Sequence, residues 1–191
     1  MTPDRAVSRS GGSAADRDPD LAAVAAAQLD RAAFGVLYRR YLDRVYGYCF
    51  YLLGDHHDAE DVTERTFLAA LAALDRYRDE GATFRAWLFR IAHNQLMNAL
   101  RTRGRRSTRP LDDIPEPAAG DDPARLVDRA DDARRVRRAL AQLSDDRRQV
   151  IVLRFVDGLS AREIGDIIGR SEGAVRVLQH RALRELGRLL D

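Results

Sequence analysis

The sequence predicts an all-α protein, two small helical domains joined by a flexible linker, with a helix-turn-helix in the C-terminal one. Three observations predict it. From Leu21 onward apolar residues recur every three to four positions through most of the chain, the period of helices with one buried face. Between Leu100 and Asp128 that period stops, and Pro110, Pro115, Pro117 and Pro123 forbid continuous helix. Near the C-terminus, Asp157 to Leu190 reads as a short and a long helix about a glycine-containing turn.

Composition sets the outer bounds. A chain of 191 residues has room for one ordinary domain or two small ones. Hydrophobic content of 45% can build packed cores, while 32% charged residues and 7% aromatics suit small helical bundles better than sheets. Lys is absent, and a net charge of +2 excludes a general polycation, so any nucleic-acid contact must come from local patches. Cys49 is the single cysteine, which excludes an intramolecular disulfide and a cysteine zinc cluster and suggests a reducing compartment. It shares an apolar row with Val45 and Leu52, the place of a core filler. No apolar run is long enough for membrane insertion, and Asp16, Asp18 and Asp20 before the alanine-rich run at Leu21 are wrong for a signal peptide. A cytoplasmic protein is expected.

Residues 1–19 hold Ser, Gly, Asp, Arg and Pro with almost nothing to bury and are expected as a disordered tail. A first domain spans 20–103. In it a short helix from Leu21 to about Leu29 leads into a longer one through Phe34, Leu37, Tyr41, Val45, Tyr48 and Leu52, broken at Gly54-Asp55. A third is expected over about Asp58 to Tyr77, burying Val62, Leu68, Leu71 and Leu74, with Asp58, Glu60 and Asp61 in its first turn. His56, His57 and these acids lack the HExxH spacing and a second ligand cluster, so no metal site is expected. Thr83 caps a fourth helix with Phe84, Trp87, Leu88, Ile91, Leu96 and Leu100 inside. Its other side carries Arg90, Asn94, Asn98 and Arg101, and amides at i and i+4 beside arginines can hydrogen-bond base edges.

A linker covers 104–127. Five arginines between Arg101 and Arg109 are followed by five acids between Asp112 and Asp122. The second domain, 128–191, should hold a helix from about Asp128 to Leu143, one capped by Ser144 through Val150, Ile151, Leu153 and Phe155, and then the helix pair. Ser160 and Glu163 have capping-box spacing, Gly169 can end the first helix of the pair, and Ser171 can cap the second. The last helix buries Val175, Leu178, Ala182, Leu186 and Leu189. Arg170 to Arg188 contains five Arg against Glu172 and Glu185. That excess on a helix set to enter a major groove favours phosphate and guanine contact over a merely solvated face.

The runs FGVLYRRYLDRVYGYCFYLLGDHHDAEDVTERTFLAAL, FRAWLFRIAHNQLMNALRTRGRR and LSDDRRQVIVLRFVDGLSAREIGDIIGRSEGAVRVLQHRALREL resemble the conserved regions of bacterial sigma factors. The short two-domain form is similar to the extracytoplasmic function (ECF) group, so that 20–103 would be region 2 and 128–191 region 4. The resemblance implies a subunit that binds core RNA polymerase and directs it to promoter DNA, with no catalytic residues and no cofactor, held by an anti-sigma factor. By family position Asn94 and Asn98, flanked by Arg90 and Arg101, would meet the unstacked start-proximal bases. Arg176, Val177, His180 and Arg181 would meet the upstream major groove. Asp58, Glu60, Asp61, Glu64 and Arg65 of the DAED helix would dock on the polymerase. The chain departs from the common pattern at Glu64-Arg65 and at Leu178-Gln179. Two other readings stay open: a stand-alone helix-turn-helix repressor, with the first domain as dimerisation or sensing module, and a decoy that sequesters a regulator without touching DNA. An enzyme is the least supported, for lack of a phosphate loop or a nucleophile-base pair.

Overall fold

The computed structural model describes residues 18–79, 81–104 and 134–191. The expected linker beyond Gly104, the tail up to residue 17 and the start of the helix expected at Asp128 lie outside the described residues. Every regular element among the described residues is helical. The N-terminal domain comprises α1 (Leu21–Leu29), α2 (Phe34–Leu53), α3 (His56–Ala73) and α4 (Phe84–Gly104). The C-terminal domain comprises α5 (residues 134–142), α6 (Asp145–Ile151), α7 (Ala161–Ile168) and α8 (Glu172–Leu190).

Local chemistry sets the ends. Gly54, at φ 66°, closes α2 in the left-handed conformation that costs other residues energy. Asp55 then accepts a hydrogen bond from the Asp58 N–H at 2.9 Å and starts α3 at His56, two residues before the expected point, so only Asp58 of the three acids lies in the first turn. The far end tightens into a 3-10 turn, Leu74–Arg76, and Tyr77 is already extended. Leu68, expected inside, is 58% exposed, because α3 turns Val62, Phe67 and Ala70 to the core instead.

Helix α4 is capped twice. Thr83 Oγ1 accepts from the Ala86 N–H at 3.2 Å, as its spacing suggests, and the carboxylate of Asp18 accepts from the Phe84 N–H. Asp18 and Asp20 fall at the edge of the expected tail, yet both are buried. Asp18 also accepts from the Tyr77 hydroxyl at 3.4 Å, and Asp20 is held by Arg40 and the Tyr41 hydroxyl, partners that make burial of two acids tolerable. Behind them Tyr48 packs edge-on against Phe89, with centroids 5.7 Å apart. Cys49 is fully buried, and burial pushes its thiol up to about 12, which leaves it inert core filler.

In the C-terminal domain, Ala139, Leu140, Leu143, Ile151, Ala182 and Leu186 form one cluster. Ser144 sits at the N-cap of α6, but its side chain makes no capping bond; Asp145 and Asp146 supply the negative charge there. Arg148 reaches back to donate to the carbonyls of Leu140 (3.0 Å), Ala141 (2.9 Å) and Leu143 (3.1 Å), satisfying acceptors left over at the end of α5. Helix α6 continues as a π turn, Val152–Val156, whose wider winding rotates Phe155 outward to 58% exposure, against the expectation that it is buried.

The two domains share a core. Val150, Val152, Leu153, Leu159, Ile164, Ile167 and Val175 join the cluster built by α1 to α4, and Tyr51 of α2 packs against both clusters. Helix α7 lies on α4 and the π turn on α2.

Candidate nucleic-acid and partner-docking surfaces

The helix-turn-helix forms as its local signals direct. Ser160 Oγ accepts from the Glu163 N–H at 3.2 Å while Glu163 Oε2 accepts from the Ser160 N–H at 2.8 Å, a complete capping box. Gly169, at φ 70°, ends α7, and Ser171 Oγ accepts from the Ala174 N–H at 3.2 Å to begin α8. One glycine here was not singled out from the sequence. A Cβ on Gly165 would sit 2.5 Å from the Arg170 carbonyl oxygen, so the absence of a side chain at Gly165 lets the turn fold back on α7. The Arg170 N–H donates to the Gly165 carbonyl at 2.9 Å, closing that turn.

Helix α8 buries Val175, Ala182 and Leu186, with Leu178 and Leu189 half-buried. That fixes what points outward. Arg176, Val177, His180 and Arg181 are all exposed and, at i, i+1, i+4 and i+5, share one face. Val177 is 49% exposed, an apolar side chain in the middle of a basic face. Arg176 pairs with Glu172 at 2.5 Å, and Arg170 with Asp146 at 2.9 Å, which ties the turn to α6.

A second face lies along α4. Phe84, Leu88, Phe89, Ala92 and Leu96 turn inward, leaving Arg90, Asn94, Asn98 and Arg101 exposed in a line along the opposite side. Arg101 donates to Asn98 Oδ1 at 2.6 Å, so the amide nitrogen of Asn98 is left to face outward. Asn94 is exposed one turn away. Beneath the row, His93 is half-buried with its Nδ1 3.2 Å from the Tyr48 hydroxyl, and burial holds its imidazole below the usual value.

On α3, Glu60, Asp61, Glu64 and Arg65 are exposed and Asp58 is half-buried. Arg65 pairs with Asp61 at 3.4 Å. Glu60, Asp61 and Glu64 border an open groove between α2 and α3, floored by Tyr38, Leu42, Phe67, Leu68 and Leu71. Tyr38 stands edge-on to Phe67 at 4.8 Å. The groove was not legible beforehand, since periodicity assigned its Leu68 to the interior. His56 is occupied in packing: its ring stacks on Phe50 at 4.3 Å and its Nδ1 bonds the Tyr46 hydroxyl.

No helix among the described residues is long and apolar enough to cross a membrane. The family model for sigma-70 region 2 matches residues 37–106, and that for sigma-70 region 4 matches residues 133–186. The ECF RNA polymerase sigma factor BldN of Streptomyces coelicolor is 36% identical over 161 residues, 83% of this chain and 60% of that protein. The ECF RNA polymerase sigma factor SigD of Mycobacterium tuberculosis is 40% identical over 129 residues, 67% of this chain and 61% of that protein. The chain thus spans about three-fifths of the length of these two relatives. Among solved structures, the sigma factor RpoE in complex with the anti-sigma factor NepR from Bartonella quintana matches with a TM-score of 0.67 and 26% identity, over 82% of this chain and 96% of that one. With a region 2 bundle, a region 4 helix-turn-helix and these relatives, the chain belongs to the ECF group of sigma-70 family RNA polymerase sigma factors.

Proposed function

We propose that this protein binds core RNA polymerase and gives it promoter specificity, acting in the cytoplasm and contributing no bond-making chemistry of its own. The observation that carries the reading is the pair of exposed polar faces, one on each of the two matched regions: Arg90, Asn94, Asn98 and Arg101 on α4, and Arg176, Val177, His180 and Arg181 on α8. Amides and arginines on α4 suit unstacked bases, whose edges are free to accept and donate. On α8, two arginines and a histidine around an exposed Val177 suit a major groove, with guanine edges for the arginines and a thymine methyl for the valine. The α2/α3 groove, apolar at its floor and acidic at its rim through Glu60, Asp61 and Glu64, is the polymerase-docking surface in this reading, with Asp58 and Arg65 on the same helix completing the docking set.

Control by an anti-sigma factor follows from the likeness to a sigma factor solved with one. The proposal is tested by adding the purified chain to sigma-free core polymerase, transcribing genomic fragments and mapping the starts. Starts that share two sequence elements and depend on the chain support it. A chain that never associates with core polymerase, or one that binds a palindrome as an oligomer without it, overturns it.

A further inference from the structure

We infer that Glu172 is a specificity-determining residue of the α8 face, its carboxylate reading a cytosine at the base pair adjoining a guanine read by Arg176. The inference rests on the reading of α8 as the helix that enters the major groove, and it names the base step that this helix selects.

Glu172 opens α8, and Arg176 stands one turn further on. Arg176 Nη2 donates to Glu172 Oε1 at 2.5 Å. Both side chains face water, at 71% exposure for Arg176 and 46% for Glu172, so the pair serves the surface and not the core. Glu172, Arg176 and His180 follow at four-residue intervals, which sets the acid in line with two residues of the basic face. In a helix-turn-helix, the residues at the start of the second helix are those that reach base edges.

Helix α8 carries two acids, and the structure disposes of them differently. Glu185 is half-buried and held by Arg147 of α6, a contact that fixes α8 to its own domain. Glu172 points outward among arginines. Arg170, in the turn, is taken by Asp146 at 2.9 Å and does not compete for Glu172. Folding gains little from Glu172 as well. Ser171 already caps α8, accepting from the Ala174 N–H at 3.2 Å, and an exposed i, i+4 ion pair contributes little to stability.

A carboxylate carried in among phosphates is repelled unless it meets a donor. The base-edge donors of the major groove are the amino groups of cytosine N4 and adenine N6. Adenine sets its N7 acceptor beside that amino group, and a carboxylate, which can only accept, is repelled there. Cytosine has no such neighbour and is the base that fits. Glu172 Oε2 accepts no bond among the described residues, so it is free to take the amino group while Oε1 keeps Arg176. Arg176, a donor only, suits the O6 and N7 acceptors of guanine. Because the two side chains touch, the cytosine and the guanine belong to adjoining base pairs.

The test uses the full chain with core polymerase on a promoter found by mapping starts, with each upstream-element position randomised and transcripts counted by template. The parent protein should favour cytosine over adenine at least tenfold at one position, next to the guanine whose preference Arg176→Ala abolishes. Glutamine both donates and accepts, which suits adenine N6 and N7. Glu172→Gln should therefore lower the cytosine-to-adenine ratio there at least tenfold, with the neighbouring guanine preference within twofold of the parent's. Glu172→Ala should lose the cytosine preference without gaining one for adenine. An unshifted ratio in Glu172→Gln overturns the inference. So does a change confined to the guanine position, which would make Glu172 a positioning residue for Arg176. Loss of helical circular dichroism in Glu172→Gln overturns it too, by showing the acid to be structural. A parent holoenzyme indifferent to every upstream position defeats the proposed function. Preferences that Glu172→Gln leaves in place defeat this inference alone.

Discussion

Asp157, at the foot of the helix-turn-helix, places its carboxylate 3.5 Å from Arg44 Nε, a residue 113 positions earlier on the opposite domain. Burial pushes this acid up to about 7, although Arg44 and Arg85 pull the other way. Tyr48 and Cys49 of α2 complete its titratable surroundings, and burial raises both well beyond neutral pH.

An acid whose folded value is raised contributes stability that is fully present below its ordinary carboxylate range and is lost as pH rises through about 7. The intact protein should therefore gain stability relative to Asp157→Asn as pH falls from 7.5 to 5.5, by roughly 1 to 2 kcal/mol. His93, held below its usual value, works in the opposite sense, losing stability as pH falls, and cancels because both proteins carry it. Urea unfolding of the two proteins across that range checks the difference; parallel pH profiles would remove Asp157 as the titrating group.

Gly165→Ala should destabilise the C-terminal domain by about 1 to 3 kcal/mol, since its Cβ would meet backbone and not a movable side chain. Gly173→Ala, where a Cβ meets nothing, is the control and should be neutral or slightly stabilising. Denaturant midpoints compare the two.

Arg176→Ala and Arg181→Ala should each weaken binding to upstream-element duplex by about 1 to 3 kcal/mol if the arginine pairs with guanine, leaving polymerase association intact. Titration against matched and scrambled duplexes separates base readout from phosphate contact. Equal losses on both would reassign these arginines to the backbone.

Asn94→Ala should lose open-complex formation, read by permanganate reactivity of unpaired thymines, while duplex binding stays within twofold. Its exposure makes a stability effect beyond about 0.5 kcal/mol unexpected. Unchanged melting would take Asn94 out of the site.

Leu68→Glu should cut association with core polymerase at least tenfold in a pull-down titration without lowering thermal stability, because 58% of Leu68 already faces water. Undiminished association would move the docking surface away from the α2/α3 groove.

What the sequence made legible was local. The Ser160–Glu163 box, the left-handed Gly54 and Gly169 and the Ser171 cap each act within a few residues, so spacing alone reveals them. Leu68 failed because a helix period identifies an apolar stripe without telling which of two neighbouring stripes a partner covers. Phe155 failed because the π turn leaves no signature in composition. Asp18, Asp20 and Asp157 look like solvated acids in the chain, and Arg40, Tyr41, Tyr77, Phe84, Arg44 and Arg85, brought from elsewhere, make them interior. Both candidate DNA faces were readable because each lies on one helix; the cross-domain contacts of Asp157 with Arg44 and Arg85 were not.

The Asp18 carboxylate on the Phe84 N–H carries a consequence for anyone shortening this polypeptide. Starting a recombinant version at Leu21, where regular helix begins, would remove one of the two caps on the rod that bears Asn94 and Asn98 and leave Thr83 alone to hold its leading turn. Proteolytic nicking in the same place would do likewise. An acid that belongs to no regular helix thus helps set how firmly the row of Arg90, Asn94, Asn98 and Arg101 is held out.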